Sequence, residues 1–315
     1  MALVAPADAR TAVDLALRGR KREVGGMVFR FGLLATLLLA LAILLVLLVT
    51  TLADAWPVLT GRGFDFVKSD TSSLAERAGV WQGLVGSLIL TGFVAAIALP
   101  IGVAAAIYLQ EYTRDTRTSR ILIANIRNLA GVPSVVYGIL GLVIFVQAMR
   151  AITGPGSVSG KSYISGGLTL AVLVMPIVIL ITMEALRAVP SSIREGAYGV
   201  GATRWEVVRS HVLPYAAPGI FTGAILALAR AFGETAPLLL VGAVQGYIST
   251  PSGRTPLQIL QGPYTALPTQ IFAWARLPAG DWQSNTAAAI IVLLVAILLV
   301  NFLAILLRNR YERTW

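Results

Sequence analysis

An all-α integral membrane protein with six transmembrane helices is predicted by three features of the sequence. Hydrophobic residues make up 57% and charged residues only 13% of the 315-residue chain, whereas soluble domains carry about 25% charged residues. The apolar residues fall into long runs, and a bilayer crossing needs about 20 residues at 1.5 Å rise. Basic residues collect between alternate runs rather than on one stripe, so the net charge of +10 is a topology signal and not a nucleic-acid footprint. A chain with no cysteine and a single histidine, His211, also has no disulfide framework, no thiolate metal site and no imidazole cluster.

From the N-terminus, residues 1–27 read as a basic cytoplasmic tail with Arg10, Arg18, Arg20, Lys21 and Arg22. The first span, Val28–Leu52, exceeds the roughly 7–15 apolar residues of a signal-peptide core, so it reads as a retained anchor helix. The second span is Gly83–Tyr108. Arg114, Arg117, Arg120 and Arg127 mark the following loop as cytoplasmic, and the third span, Leu129–Met149, opens on Gly131-Val-Pro-Ser-Val-Val-Tyr137-Gly138. Gly154–Ser162 imitates a phosphate-binding P-loop, but its glycines are wrongly spaced and no strand precedes it. Any energy from ATP therefore has to come through a partner.

The fourth span is Gly167–Leu186, the fifth Ala216–Val244 and the sixth Ala287–Leu307. Pro100, Pro133 and Pro176 interrupt or start spans, as tolerated kinks or as pore elements. The outer segment 245–286 holds Pro251, Pro256, Pro263, Pro268 and Pro278, which exclude a long helix. Within it Gln270–Arg276 is expected to form a short amphipathic surface helix, and the segment's length suits a docking surface. Arginine and lysine are concentrated in the N-terminal tail, the second and fourth loops and the C-terminal tail. The positive-inside rule then puts both termini in the cytoplasm.

Two ionisable residues lie inside the fifth span. Arg230 at mid-membrane costs about 2.5–3.5 kcal/mol even on insertion-based scales. Glu234 is four residues on, so the two share a helix face and partly neutralise each other. The same face carries Gly219, Gly223 and Ala227, small residues that let another helix approach closely. Pro237 removes the hydrogen bond to the Gly233 carbonyl and is expected to bend the helix beside Glu234 and Thr235. A structural ion pair is one reading. A polar element of a solute pathway is the favoured one, since the guanidinium fork suits a tetrahedral oxyanion and Glu234 suits one that still carries a proton. One carboxylate at mid-membrane depth offers no general acid–base pair, so no catalysis is expected of the chain.

Between spans four and five, residues 190–214 read as a helix, a glycine break at Gly201, a second helix, and Pro214 limiting the start of the fifth span. Ser191 or Ser192 is expected to cap the first helix, with Glu195 in its first turns. This loop resembles the signature loop of ABC importer permeases. Glu195, Ala197, Gly201, Leu213 and Pro214 fit in register, Ala202 and Thr203 follow the glycine, and Gly196 and His211 stand where the family has an alanine and an aliphatic residue.

Within that family the chain is similar to the A-type permease subunits of high-affinity phosphate importers. Four segments carry the resemblance: Arg230-Ala-Phe-Gly-Glu-Thr-Ala-Pro-Leu-Leu239, Gly131–Gly138, Gly83–Thr91 and Leu267–Trp274. It implies a MetI-like importer permease fold over residues 80–310, with residues 188–214 as a coupling loop that docks on an ATPase. It also implies a heterodimer with a C-type phosphate permease, two ATPase subunits that bind ATP and magnesium, an extracytoplasmic phosphate-binding protein, and a plasma-membrane location. Arg230, Glu234, Thr235 and Pro237 map to the translocation path, and no cofactor belongs to this chain. The rival readings are an ABC permease for sulfate or molybdate, and a stand-alone secondary transporter or channel.

Overall fold

The computed structural model describes residues 24–153, 160–244, 255–278 and 280–311. Among them the regular structure is helical, with no strand. The chain divides into two units, Met1–Ala53 and Asp54–Trp315.

In the first unit the described residues belong to α1, Val24–Gly61. The anchor expected at 28–52 lies within it, and residues 24–27 of the expected tail are already helical; the rest of that tail lies outside the described residues. Phe31, Leu37, Leu44 and Leu47 are all exposed, so this stretch is apolar all round, as a helix bathed in lipid is. The Thr36 and Thr50 hydroxyls donate back to the Leu33 and Val46 carbonyls at 2.8 and 2.9 Å. Their polar atoms are thus satisfied within the helix, as hydrocarbon demands.

The second unit follows with α2 (Phe64–Lys68) and α3 (Trp81–Ile107), which runs into a π-turn at Tyr108–Tyr112. Next come α4 (Arg117–Ala130), α5 (Ser134–Gly141) with its own π-turn Leu142–Ala148, α6 (Arg150–Thr153) and α7 (Tyr163–Arg187). The segment between spans holds α8 (Ser191–Gly199) and α9 (Arg204–Val207), and a third π-turn, Val208–Val212, leads into α10 (Leu213–Gly233). The unit closes with α11 (Ala236–Val241), α12 (Pro256–Leu260), α13 (Leu267–Trp274) and α14 (Asp281–Tyr311).

The buried α7 is the hub. Leu170, Leu173, Val174 and Val178 pack with Leu90, Val94 and Ala98 of α3 and with Ala227 and Ala231 of α10. Glycines set the close approaches: a Cβ at Gly102 would sit 2.7 Å from Val178 Cγ1, and one at Gly167 would sit 2.4 Å from Phe93. These contacts run in the same chain direction, so α3 and α7 are parallel. Gly219 faces Ala185 and Gly223 faces Ile181, which makes α10 antiparallel to α7. A second cluster joins Ala55, Phe66, Val80, Leu267, Trp274 and Ala287–Ala289, with Trp274 stacked between Phe66 and Trp282 at 6.3 and 5.5 Å.

Among the described residues five helices are long and apolar enough to span a membrane, and the sixth expected span is a pair, α4 and α5, bent by 98°. The third span was expected at Leu129–Met149, yet Leu129 ends α4, an amphipathic helix built from what reads in sequence as the basic loop. Pro133 forces the break, since the residue before a proline is driven from helical to extended backbone and the ring suits a helix start.

The expected bend at Pro237 is instead an interruption. The helix ends at Gly233, Glu234 is extended (φ −71°, ψ 127°), and Pro237 occupies the first turn of α11. Nor is the Gln270–Arg276 segment a surface helix. Leu267, Thr269 and Gln270 of α13 are buried, the Leu267 N–H donates to Ser87 Oγ at 2.9 Å, and Gln270 Nε2 donates to the Gly79 carbonyl at 2.8 Å. Residues 154–159 of the P-loop imitation and 245–254 of the outer segment lie outside the described residues.

Candidate functional site

At the end of α10, Arg230 Nε donates to Glu234 Oε1 at 3.1 Å. A cation in the last turn of a helix is favoured by the exposed carbonyls there. The pair is asymmetric: the Arg230 side chain is 43% exposed and that of Glu234 only 15%. Thr235 precedes α11 without a side-chain cap, and Pro237 is buried in its first turn. The small-residue face expected beside the pair is the face packed on α7. Continuing the Gly219–Ala185 and Gly223–Ile181 steps brings Ala231 to the Leu173–Val174 level, the middle of α7. Arg230 therefore stands at mid-membrane depth beside a two-residue gap between helices.

Two residues of the segment that opens the third expected span, Tyr137 and Gly138, complete this site. The Tyr137 hydroxyl donates to the Leu129 carbonyl at 2.9 Å, lacing α5 to α4 across the 98° bend. Gly138 lets α5 lie against α11, since a Cβ there would come within 2.8 Å of both Pro237 Cα and Leu240 Cδ1. Backbone cannot yield as a flexible side chain does. Gly138→Ala is expected to destabilise the detergent-purified chain by about 1–3 kcal/mol, seen as a lowered melting temperature.

The second site is the segment 188–214. Ala197 is buried with Leu186, Val189, Val207, Val212 and Ala216, which anchors the segment to the ends of α7 and α10. Gly201 adopts φ +84°, a left-handed turn that disfavours side chains, and the Ala202 N–H closes back on Ala197 at 3.1 Å. Thr203 caps α9: its N–H donates to Glu206 Oε2 at 2.7 Å and its hydroxyl accepts from the Glu206 N–H at 3.4 Å.

Glu195, Gly196, Tyr198, Val200 and Trp205 are exposed together, Val200 at 85%. Two expectations need correction. Pro190 occupies the N-cap position of the first helix, which has no side-chain cap, and Ser191 is already helical. Pro214 does not limit the span, because Leu213 and Pro214 continue from a π-turn that absorbs the missing N–H, and Arg204–Gly233 runs as one candidate span.

Sequence reading missed what holds this segment. Arg194 Nη2 and Nε donate to Glu111 Oε1 and Oε2 at 2.7 and 3.3 Å, while Nη1 and Nη2 donate to the Val189 and Leu186 carbonyls, each at 2.8 Å.

A family model for the binding-protein-dependent transport system inner membrane component matches residues 98–314. The chain is 34% identical to the phosphate transport system permease protein PstA of Yersinia pestis over 72% of this chain and 71% of that one. It is 33% identical to the PstC protein of the same description from Mesorhizobium japonicum, over 76% and 81%. Among solved structures it matches a chain of a bacterial alginate ABC transporter at TM-score 0.64 and 16% identity, covering 93% of this chain and 99% of that one. It also matches a chain of the inward-facing MetNI methionine ABC transporter at TM-score 0.55 and 18% identity, over 75% and 95%. Those two likenesses establish the fold.

Proposed function

The chain belongs to the binding-protein-dependent transport system inner membrane component family, and from that premise we propose that it is the A-type permease subunit of an ATP-driven importer of inorganic phosphate. The observation that carries the solute class is the half-exposed Arg230 guanidinium at mid-membrane depth, beside a helix gap that only a protein-lined cavity tolerates. The guanidinium attracts a tetrahedral oxyanion with a fork of donors. Glu234 accepts a hydrogen bond from the O–H of a hydrogenphosphate and repels sulfate, which has no O–H to donate. The two phosphate-permease relatives support the same solute.

The chain supplies half of the pore in a heterodimer with a C-type permease, both termini in the cytoplasm. Two ATPase subunits bind ATP and magnesium and dock on the exposed face of α8 and α9 around Glu195, Val200 and Trp205. Closure of the ATPase pair draws the coupling segments together and opens the pathway to a phosphate-binding protein on the outer side. No covalent chemistry falls to this chain. An apolar residue as exposed as Val200, on a segment braced by a buried alanine, favours a docked partner over a stand-alone channel.

Uptake of radiolabelled phosphate and sulfate, in cells deleted for this chain and for every other phosphate importer, tests the reading. The intact gene is expected to restore phosphate uptake alone. Restoration of sulfate uptake, or of neither anion in the presence of all partner subunits, would refute it.

A further inference from the structure

The π-turn that ends α3 meets the end of α7 and the segment 188–214 through three consecutive side chains. Gln110 Oε1 accepts from Arg187 Nε at 3.1 Å, at the last residue of α7. Glu111 takes both donors of Arg194 on α8. The Tyr112 ring lies 5.1 Å from Arg204 Cζ, at the first residue of α9. In an α-helix three successive side chains fan over about 200°. The wider π-turn, closed by the Thr113 N–H on the Tyr108 carbonyl at 3.0 Å, narrows that fan, and the three side chains meet α7, α8 and α9 in turn.

The middle tie is the strongest. Glu111 is 9% and Arg194 21% exposed, so their bidentate contact is little screened by water. The same guanidinium donates to Leu186 and Val189, the carbonyls at the end of α7. One arginine thus binds α8 to α3 and to α7 together. Besides the apolar packing of Ala197 on Leu186 and Val189, the chain link between α7 and α8 is only Ala188–Pro190, and these arginine contacts stiffen that joint against a push on α8.

We infer that Glu111 and Tyr112 are positioning residues that carry displacement of the α8–α9 segment into α3, and that Gln110 ties α3 to the end of α7, so that α3 and α7 move with the segment as one body. The inference rests on the reading of that segment as the ATPase contact. Glu111 has no part in binding the solute; its role is to make ATPase closure and pore opening the same movement.

The test measures phosphate transport and ATP hydrolysis together, on the full complex in proteoliposomes. Glu111→Ala frees Arg194 from α3 but leaves its two carbonyl contacts. It is expected to retain the ATPase subunits and hydrolyse ATP, with transport per ATP lowered about tenfold. Glu111→Gln keeps one acceptor oxygen and is expected to fall between that variant and the wild type. An unchanged ratio in an assembled Glu111→Ala complex, or transport and hydrolysis falling in proportion, would overturn the inference. If Glu111→Ala fails to assemble, Tyr112→Leu and Gln110→Ala each remove one weaker tie, and unchanged ratios in both overturn it as well. A wild-type chain that retains no ATPase subunit refutes the docking reading itself, and with it the inference. That result is recognisable before any variant is compared.

Discussion

Phosphate uptake by cells carrying Arg230→Gln is expected to fall about 10- to 100-fold, the loss of a charge-assisted hydrogen bond to an anion of about 1.5–3 kcal/mol. The amount of chain in the membrane and its recovery with partner subunits are expected to stay at wild-type levels. This follows from the exposure of Arg230: its side chain is 43% accessible and bonded once, to Glu234, so its removal leaves no large cavity. Arg230→Lys keeps the charge but not the fork of donors, and is expected to recover part of the uptake. Loss of assembly together with uptake would instead make the pair a device for helix register.

The largest effect on stability is expected at Gly86 on α3. A Cβ there would lie 2.0 Å from the Thr265 carbonyl oxygen and 3.0 Å from its carbon. That carbonyl belongs to the stretch leading into α13, whose first residue is already fixed by Ser87. Neither backbone can step aside without opening the buried contact of α13 with α3. Gly86→Ala is expected to cost about 3 kcal/mol or more, at the upper end of overpacking effects. It should appear as loss of monodisperse protein and a lower melting temperature. Gly92, two turns along the same helix, has nothing within 4 Å of an added Cβ. Gly92→Ala is expected to stabilise the chain by about 0.4–1 kcal/mol. Opposite signs for one substitution in one helix separate packing from helix propensity; equal signs would refute the close approach at Gly86.

How much of this could be read from the sequence depends on the range over which each signal acts. Five of the six expected spans correspond to helices that qualify alone, because hydropathy is a local property of about 20 residues. The third falls on α5 and its π-turn, but α4, the other half of the bent pair, was missed because it joins Arg117, Arg120 and Arg127 to Ile121, Ile123 and Ile126. Its charge reads as loop, while Ile123 and Ile126 pack on Ala106, Ile179 and Met183. The Arg230–Glu234 pair was legible since four residues on a helix settle its geometry. Pro237 signalled an irregularity, but whether a helix kinks or stops depends on what receives the next segment, here the surface of Gly138.

The burial of α13 had no local signal, because the groups that satisfy it, Ser87 Oγ and the Gly79 carbonyl, lie on the far side of the chain. Glu111 was invisible for the same reason: it meets Arg194 across 83 residues.

Each of the three π-turns, at 108–112, 142–148 and 208–212, amounts to one amino acid more than a regular helix would contain over the same path. Deleting a single residue from Tyr108–Tyr112 would leave a regular helix over the same path, and everything beyond the deletion would keep its phase. The side chains left in the turn would return to about 100° per residue, so such a chain would cross the bilayer as well as before with its acidic group facing the wrong way. In comparing chains of this kind, a one-position gap inside a π-turn is therefore the loss of a local grip with the rest of the helix unmoved, and it should be weighed more heavily than many substitutions on either side of it.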